Sequence, residues 1–184
     1  MQVHKTHFTA DKPIMLIGLM GSGKTVIGKL LSNALELPFC DSDKVIEDQS
    51  GLRIGDIFDL YGEPKFREME RRTIVALLDD GAQILSVGGG AFCQVEIREA
   101  AKGKALVIWL RATAETLLGR MDNLSTRPLL AGDNPLGILQ KLHQQRYDDY
   151  AQADMVIDTD GLSQKQSLEL ILKQLDNFQA NRSS

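Results

Sequence analysis

The sequence predicts an α/β protein in which a five-stranded parallel sheet lies between two layers of helices, a three-layer α/β/α arrangement. Three observations support this prediction. Short apolar runs typical of buried strands alternate with longer segments of helical apolar spacing. A glycine-rich phosphate-binding motif stands between the first strand and the first helix. No internal repeat or linker divides the chain, so we expect a single domain over residues 13–178.

The predicted strands are apolar runs bounded by polar or glycine-containing turns. They cover residues 14–18, 38–41, 83–90, 104–110 and 154–158. The predicted helices cover residues 24–37, 62–81, 113–121, 135–153 and 163–178. In the second of these helices, Pro64 falls in the first turn and Gly81 ends the helix. Because strands and helices alternate, the sheet should be parallel and covered on both faces.

Three segments have no regular periodicity. The polar residues 1–12 predict a flexible N-terminal extension, and residues 179–184 predict a C-terminal tail. Residues 122–134 combine polar residues with Gly and Pro, which predicts a surface loop. Such a loop, with few apolar anchors, is able to act as a mobile lid.

The composition excludes several classes of protein. The 184 residues carry a formal net charge of −4, so no basic face is expected for nucleic acid or for an anionic membrane. No apolar run approaches the roughly 18 residues of a membrane span. The only cysteines, Cys40 and Cys93, have neither metal-ligand spacing nor a disulfide framework. We therefore expect a cytoplasmic monomer without a nucleic-acid or membrane partner.

The stretch GLMGSGKT over residues 18–25 fits the P-loop pattern G-x-x-x-x-G-K-[ST] at every fixed position. Its glycines let backbone N–H groups converge on phosphate oxygens at the start of a helix. Lys24 could bridge the β- and γ-phosphates, and the hydroxyl of Thr25 could bind Mg²⁺. The alternative is a glycine-rich turn with a chance Lys-Thr pair, which the strand before it and the helix after it disfavour. The motif predicts a nucleoside triphosphate.

Two carboxylates, Asp41 and Asp43, close the second predicted strand. Ligands of open α/β sheets bind beyond the carboxyl ends of the strands, and residues two apart share one side of an extended segment. One carboxylate could serve Mg²⁺ through water while the other faces an acceptor hydroxyl. Alternatively, Ser42 and Asp43 form the N-cap of a following helix. The guanine-reading pattern N-K-x-D of GTPases is absent, which favours a small kinase.

Three arginines stand beside glycine turns or loops. Arg67 has Glu70 three residues later, Arg146 has Tyr150 four residues later, and Arg127 lies in the irregular loop. Each one singly is best interpreted as a solvated surface charge. As a set, they indicate bidentate recognition of carboxylate and phosphate.

With these motifs in place, the chain resembles the shikimate kinase family from about Pro13 to Asp160. The resemblance rests on GLMGSGKT, DSD, GEPKFREME, SVGGGA, RPLL and RYDDYAQAD, in family order. It implies a nucleoside monophosphate kinase-like fold with a lid, and ATP-dependent phosphorylation of the 3-hydroxyl of shikimate in aromatic amino-acid (chorismate) biosynthesis. ATP and shikimate would be the partners and Mg²⁺ the cofactor. Asp148 stands where the family commonly has proline, which leaves the curvature of that segment open.

The resemblance also implies roles for residues on the acceptor side. Asp43 would contact the shikimate hydroxyls and accept the proton, and Arg67 and Arg146 would hold the carboxylate. The backbone of Gly88, Gly89 and Gly90 would form the floor against the ring.

On the nucleotide side, the resemblance implies that Arg120 lies against adenine and that Arg127 reaches the phosphates from the lid. Thr25 and Asp41 would hold Mg²⁺. Lys24 would act in catalysis together with Asp43 and Arg127. The implied ATP-binding residues of the P-loop and the first helix are Gly21, Ser22, Gly23, Lys24, Thr25 and Val26.

Two alternatives stay open at this point. A kinase for gluconate or for a nucleoside monophosphate could share the P-loop and the lid, although Arg67, the triple glycine and Arg146 favour a small ring carboxylate. The other alternative is a catalytically silent nucleotide-binding homologue, which the presence of Lys24, Asp43 and Arg127 disfavours.

Overall fold

The structure, a computed structural model, describes residues 6–121, 130 and 133–182. The strands are β1 (Ile14–Ile17), β2 (Phe39–Asp41), β3 (Ile84–Ser86), β4 (Leu106–Arg111) and β5 (Met155–Asp158). The helices are α1 (Lys24–Leu35), α2 (Ser42–Ser50), α3 (Ile54–Leu77), α4 (Val95–Ala101), α5 (Ala114–Gly119), α6 (Pro135–Tyr150) and α7 (Gln164–Arg182). A short 3₁₀ helix covers Ala91–Cys93.

The five strands form one parallel sheet in the order β2-β3-β1-β4-β5. β1 is the central strand, so the P-loop that follows it lies in the middle of the row formed by the carboxyl ends of the strands. In the pairing of β2 with β3, Asp41 is level with Ser86. The predicted five-stranded parallel sheet is confirmed, and the topology brings the DSD segment beside the glycines that follow β3.

Both faces of the sheet are covered, which confirms the three-layer prediction. Alternate residues of β1 enter two different apolar cores: Met15 packs with helices α3, α4 and α6, whereas Leu16 packs with α1 and α7. Because every residue of β1 is buried, its sequence is apolar throughout instead of alternating.

A third, smaller core lies between α2 and α3 and is formed by Ile46, Ile57 and Phe66. The sequence prediction contains neither α2 as a whole helix nor the first two turns of α3. The small core matters for function because it attaches the segment that carries Arg67 to the segment that carries Asp43.

The bounds of helix α3 differ from the predicted helix over residues 62–81, so that prediction is wrong at both ends. The structure begins this helix at Ile54, bends it at Gly62 and ends it at Leu77. Gly62 has a φ of 77°, which is left-handed backbone that favours glycine. Pro64 follows the bend and therefore stands in the first turn of the second part, where its missing N–H costs little.

The ends of the chain also differ from the prediction. Asp176 on α7 accepts hydrogen bonds from the hydroxyl of Thr6 at 2.8 Å and from the backbone N–H of His7 at 2.9 Å. Phe8 packs against the core beside α7. Residues 6–10 thus contact the last helix, whereas the polar sequence predicts a flexible extension. Residues 179–182 are helical instead of part of a tail.

Most of the predicted lid over residues 122–134, including Arg127, lies outside the described residues. Of this segment, Leu130 is buried in the core, and Asn134 caps α6 by accepting from the N–H of Gly137 at 2.9 Å. Within the described ranges, no helix is both long enough and apolar enough to cross a membrane.

Candidate active site

A cleft of about 1020 Å³ opens at the carboxyl ends of the strands. This volume is large enough for a nucleotide and a small acceptor. The lining includes Gly21, Lys24, Asp41, Asp43, Gly88 and Arg120. Residues predicted from separate motifs therefore share one cavity.

The P-loop is a tight turn, and two of its positions accept only glycine. Gly18 and Gly21 have φ values of 144° and 79°. A Cβ added at Gly18 would lie 2.7 Å from the carbonyl oxygen of Leu110, and one added at Gly21 would lie 2.8 Å from that of Leu117. The loop thus lies directly on backbone of the neighbouring segments.

Lys24 extends back across this loop. Its Nζ donates to the carbonyl oxygens of Gly18 at 2.8 Å and of Leu19 at 3.0 Å. The side chain of Ser22 is buried, and its hydroxyl has no hydrogen-bond partner among the described residues. Helix α1 begins at Lys24, so its N-terminal N–H groups and the lysine charge act on the same space. This arrangement suits a phosphate chain.

Asp41 links the start of α1 to the start of α2. The hydroxyl of Thr25 donates to Oδ2 of Asp41 at 3.3 Å, and the backbone N–H of Asp43 donates to Oδ1 of Asp41 at 3.1 Å. Asp41 is therefore the N-cap of α2, and the alternative in which Asp43 is the cap is wrong. A capping carboxylate is held in place by the helix, which leaves its second oxygen directed at Thr25.

Thr25 and Asp41 are a suitable pair for magnesium. A hydroxyl and a carboxylate are hard oxygen ligands, and Mg²⁺ usually takes one or two such side chains together with water and substrate phosphate. Among the described residues, no cluster of three or more His, Cys, Asp and Glu side chains could hold a metal. A dedicated protein cage, as for zinc, is not present in that part of the chain.

Asp43 stands in the first turn of α2 with its Oδ1 buried and without a hydrogen-bond partner among the described residues. Burial raises the pKa of Asp43 to about 6, and the charges of Asp41 and Glu70 add to this, whereas Lys24 acts against it. An unpaired carboxylate oxygen beside the P-loop lysine can accept a hydrogen bond from a hydroxyl and then its proton.

Arg67 is held by two carboxylates on its own helix. Its Nη1 donates to Oε2 of Glu70 at 2.7 Å, and its Nε donates to Oε1 of Glu63 at 3.2 Å. Burial opposes the charged form of Arg67, but the pairs with Glu70 and Glu63 raise its pKa overall. The buried Glu70 also accepts from Nε2 of Gln94 at 2.8 Å. Gln94 is a supporting residue that the sequence did not reveal, because its only local signal is its position before a short helix.

The triple glycine leaves space for charged side chains. A Cβ added at Gly88 would lie 2.7 Å from Oε1 of Glu70, and one added at Gly90 would lie 2.7 Å from Nη2 of Arg67. At Gly89, an added Cβ would lie 3.3 Å from Nη1 of Arg146. None of these glycines has a positive φ, so the requirement is for room and not for an unusual backbone conformation.

Arg146 lies against the triple glycine at Gly89, next to the Gly90 position that faces Arg67. Its Nη1 donates to the carbonyl oxygen of Gly89 at 2.9 Å, and the hydroxyl of Tyr150 donates to the same oxygen. Helix α6 runs without interruption through Asp148 to Tyr150, and Asp148 is exposed. The residue that replaces the family's usual proline therefore neither bends this helix nor brings charge into the cleft.

Arg120 lines the cleft beside Met121 and Thr159. Its Nη1 donates to the hydroxyl of Thr159 at 2.9 Å, and its Nη2 donates to the Thr159 carbonyl oxygen. The cleft is also lined by residues of the segment 159–167, which covers the connection from β5 to α7 and the first turn of α7. No motif in the sequence predicted a role for this segment. Its only signal was a polar Asp-Gly turn after the last strand.

The structure thus brings the described candidate residues around one edge of the sheet, with Thr25, Val26 and Asp41 in the cleft and the arginines 67 and 146 against the triple glycine. The assignment of roles to these residues stays a prediction. Arg127 lies outside the described residues.

Comparisons with known proteins agree with this arrangement. A family profile described as shikimate kinase matches residues 20–176. A shikimate kinase of Mesorhizobium japonicum is 41% identical over 149 residues, which cover 81% of this chain and 73% of that protein. One of Rhodopseudomonas palustris is 43% identical over 147 residues, which cover 80% of this chain and 72% of that protein.

A solved structure gives the same result. The shikimate kinase from Acinetobacter baumannii, in complex with shikimate, superimposes with a TM-score of 0.85 and 34% sequence identity. The superposition covers 94% of this chain and 96% of that chain. The predicted family and the predicted fold are confirmed: this chain is a P-loop kinase and belongs to the shikimate kinase family.

Proposed function

We propose that this chain transfers the γ-phosphoryl group of ATP to the 3-hydroxyl of shikimate, giving shikimate 3-phosphate and ADP. The observation that carries the proposal is the position of Asp43. Its Oδ1, buried and without a hydrogen-bond partner among the described residues, lies beside Gly88 in the cleft that Lys24 also lines, and the next two glycines lie against Arg146 and Arg67. The phosphate donor and a carboxylate-bearing acceptor therefore have separate subsites that meet at one carboxylate.

The nucleotide subsite is formed by residues 21–26. Backbone N–H groups of the loop and of the start of α1 would hold the phosphates, with Lys24 offsetting the charge of the transferring group. Arg120, oriented by Thr159, would lie against the adenine. Arg127 is proposed as a further phosphate ligand on the strength of the family resemblance.

Thr25 and Asp41 would hold Mg²⁺. When bound, the ion neutralises phosphate charge and orients the triphosphate for in-line transfer. Asp41 accepts a hydrogen bond from the Thr25 hydroxyl at 3.3 Å, and this closeness of the two oxygen atoms supports a shared magnesium site.

The acceptor subsite is formed by Asp43, Arg67, Arg146 and Gly88–Gly90. The planar guanidinium groups of the two arginines match a carboxylate, and Glu70 and the Gly89 carbonyl orient them. The glycine backbone lets the ring approach closely. With the carboxylate held, the 3-hydroxyl would face Oδ1 of Asp43, which would orient it and accept its proton as the phosphoryl group transfers.

We further propose that the enzyme acts as a monomer in the cytoplasm. Cys40 and Cys93 are free thiols, as is usual in a reducing compartment. Size-exclusion chromatography coupled to light scattering would test the monomer.

An assay of ADP release with shikimate, gluconate and AMP as alternative acceptors tests the proposed function. We expect Mg²⁺-dependent turnover that requires shikimate, and loss of that turnover in Lys24→Ala, which controls for a contaminating kinase. Faster turnover with gluconate or AMP would contradict the proposed substrate. Nucleotide binding without turnover on any acceptor would instead indicate a silent homologue.

A further inference from the structure

The carbonyl oxygen of Gly89 accepts two hydrogen bonds, one from Nη1 of Arg146 and one from the hydroxyl of Tyr150. A carbonyl oxygen has two lone pairs, so both acceptor positions of Gly89 are used. One of the two donors belongs to the proposed carboxylate-binding set. The other belongs to a tyrosine to which no role has been given.

Tyr150 is held rigidly. It is 1% exposed, and its ring lies 5.5 Å from the ring of the buried Trp109. Burial raises the pKa of Tyr150 well above its usual range, so the hydroxyl keeps its proton and stays a donor. The hydroxyl is therefore a fixed donor that meets the triple glycine from the protein interior.

Gly89 lies at a junction between the two subsites. A Cβ added there would stand 3.3 Å from Nη1 of Arg146 and 3.4 Å from the carbonyl oxygen of Gly18 in the P-loop. Because a peptide unit is planar, fixing the Gly89 carbonyl also fixes the N–H of Gly90 on the opposite side. The Tyr150 hydroxyl thus determines the orientation of a backbone unit that contacts both the acceptor arginine and the P-loop.

We propose that Tyr150 is a positioning residue for carboxylate recognition, and this inference rests on the proposed function. Its hydroxyl satisfies one lone pair of the Gly89 carbonyl, so that Arg146 needs to donate only Nη1 to the backbone. Arg146 also makes a side-chain hydrogen bond with Tyr150, and its remaining N–H groups then stay available for the substrate carboxylate. Without the hydroxyl, the unfilled acceptor position of the Gly89 carbonyl would compete with the substrate for the arginine donors.

Tyr150→Phe tests this inference, because it removes the hydroxyl and keeps the ring against Trp109. We expect the KM for shikimate to rise about 5- to 30-fold, the effect of one hydrogen bond in a charged network, with kcat and the KM for ATP nearly unchanged. Tyr147→Phe is the matched control. Tyr147 lies on the same helix and also contacts Trp109, at 5.4 Å between ring centroids, but does not donate to Gly89.

An uncharged acceptor distinguishes a role of the Tyr150 hydroxyl in positioning Arg146 from a role in packing. In shikimate carboxamide the carboxylate is replaced by an uncharged group of the same shape. We expect kcat/KM for shikimate to fall in Tyr150→Phe while kcat/KM for the carboxamide changes less than twofold. An equal fall for both acceptors would mean that the hydroxyl only supports packing, and an unchanged shikimate KM would mean that it has no role. Either result would overturn the inference.

Failure of the proposed function gives a different result. In that case the wild-type enzyme would turn over another acceptor faster than shikimate, before any variant is compared. In the background of Arg146→Lys, we expect Tyr150→Phe to raise the shikimate KM no further, because both changes act on the same donor. If the two changes raised the shikimate KM additively, Tyr150 would not act through Arg146, and the inference would be overturned.

Discussion

Gly88 lies beside Asp43: a Cβ added at Gly88 would stand 3.2 Å from Oδ1 of Asp43. The same added atom would lie 2.7 Å from Oε1 of Glu70. The glycine therefore keeps open the space beside Oδ1 of Asp43, a buried carboxylate oxygen that has no hydrogen-bond partner within the described structure. Filling that space with a methyl group should therefore impair the use of shikimate.

Gly88→Ala should lower kcat/KM for shikimate by at least about tenfold, because the methyl group displaces Asp43 or Glu70 by a fraction of an ångström. The KM for ATP should change little. Gly55→Ala is the control, since a Cβ at this position on α3 meets nothing within 4 Å. Wild-type kinetics for Gly88→Ala would show that Asp43 does not need this space.

Asp43→Asn should make the enzyme slower but more stable. Loss of the proton acceptor should reduce kcat by about 10²- to 10⁴-fold. The folded pKa of about 6 lies above the ordinary 3.8, so charging Asp43 costs free energy in the folded state. This cost should appear as the pH rises from about 4 to 6 and then stay constant, reaching about 3 kcal/mol at most.

Urea unfolding in Mg²⁺-free buffer at pH 4.5 and pH 7 measures this difference. Asp43→Asn should be more stable than the wild type at pH 7, and the difference should shrink at pH 4.5. Asp48→Asn is the control, because Asp48 lies on the same helix in an exposed pair with Lys44. A variant less stable than the wild type at pH 7, or one with normal kcat, would contradict the role of Asp43.

Arg67→Lys and Arg146→Lys should each raise the KM for shikimate more than the KM for ATP. Lysine keeps the charge but lacks the planar pair of donors that matches a carboxylate, a loss of about 1–3 kcal/mol. Arg71→Lys controls for charge on α3, since Arg71 only pairs with the exposed Glu96. Equal weakening of both substrates would refute carboxylate binding by these arginines.

Thr25→Val should raise the Mg²⁺ concentration needed for half-maximal activity by about tenfold or more, because a methyl group replaces an oxygen ligand. Thr25→Ser keeps the hydroxyl beside Asp41 and should behave like the wild type. A Mg²⁺ titration at saturating ATP and shikimate measures both variants. An unchanged requirement in Thr25→Val would exclude this hydroxyl as a ligand.

Arg127→Ala tests the prediction that lies outside the described residues. Loss of a charge that acts on the transferring phosphoryl group should reduce kcat by at least ~100-fold, with a smaller effect on the KM for ATP. Arg72→Ala, at an exposed arginine, is the control. Hydrogen exchange over residues 122–134 should slow only when nucleotide and shikimate are bound together. Unchanged exchange or a normal kcat would make this segment a simple connector.

The sequence by itself determined those features that arise from local chemistry. Buried strands alternating with amphipathic helices predicted the parallel three-layer fold, since side-chain periodicity reflects which faces are buried. The P-loop followed from glycines and a lysine at fixed spacing, a local pattern that predicts a tight phosphate-binding turn. The pairing of Arg67 with Glu70 also lies within one helical turn, and the structure has it at 2.7 Å.

The tertiary structure decided what depends on residues far apart in the chain. Asp41, and not Asp43, caps α2. Because Asp43 is not the cap, its Oδ1 has no hydrogen-bond partner among the described residues. Helix α3 begins eight residues before its predicted start. The small core with α2 stabilises the helix ahead of Gly62, whereas the glycine and the proline after it indicate a helix start in the sequence. The hydrogen bond from Tyr150 to the Gly89 carbonyl spans 61 positions. Periodicity carries no information on such contacts, because they form only when packing of the two cores brings separate segments to the same edge of the sheet.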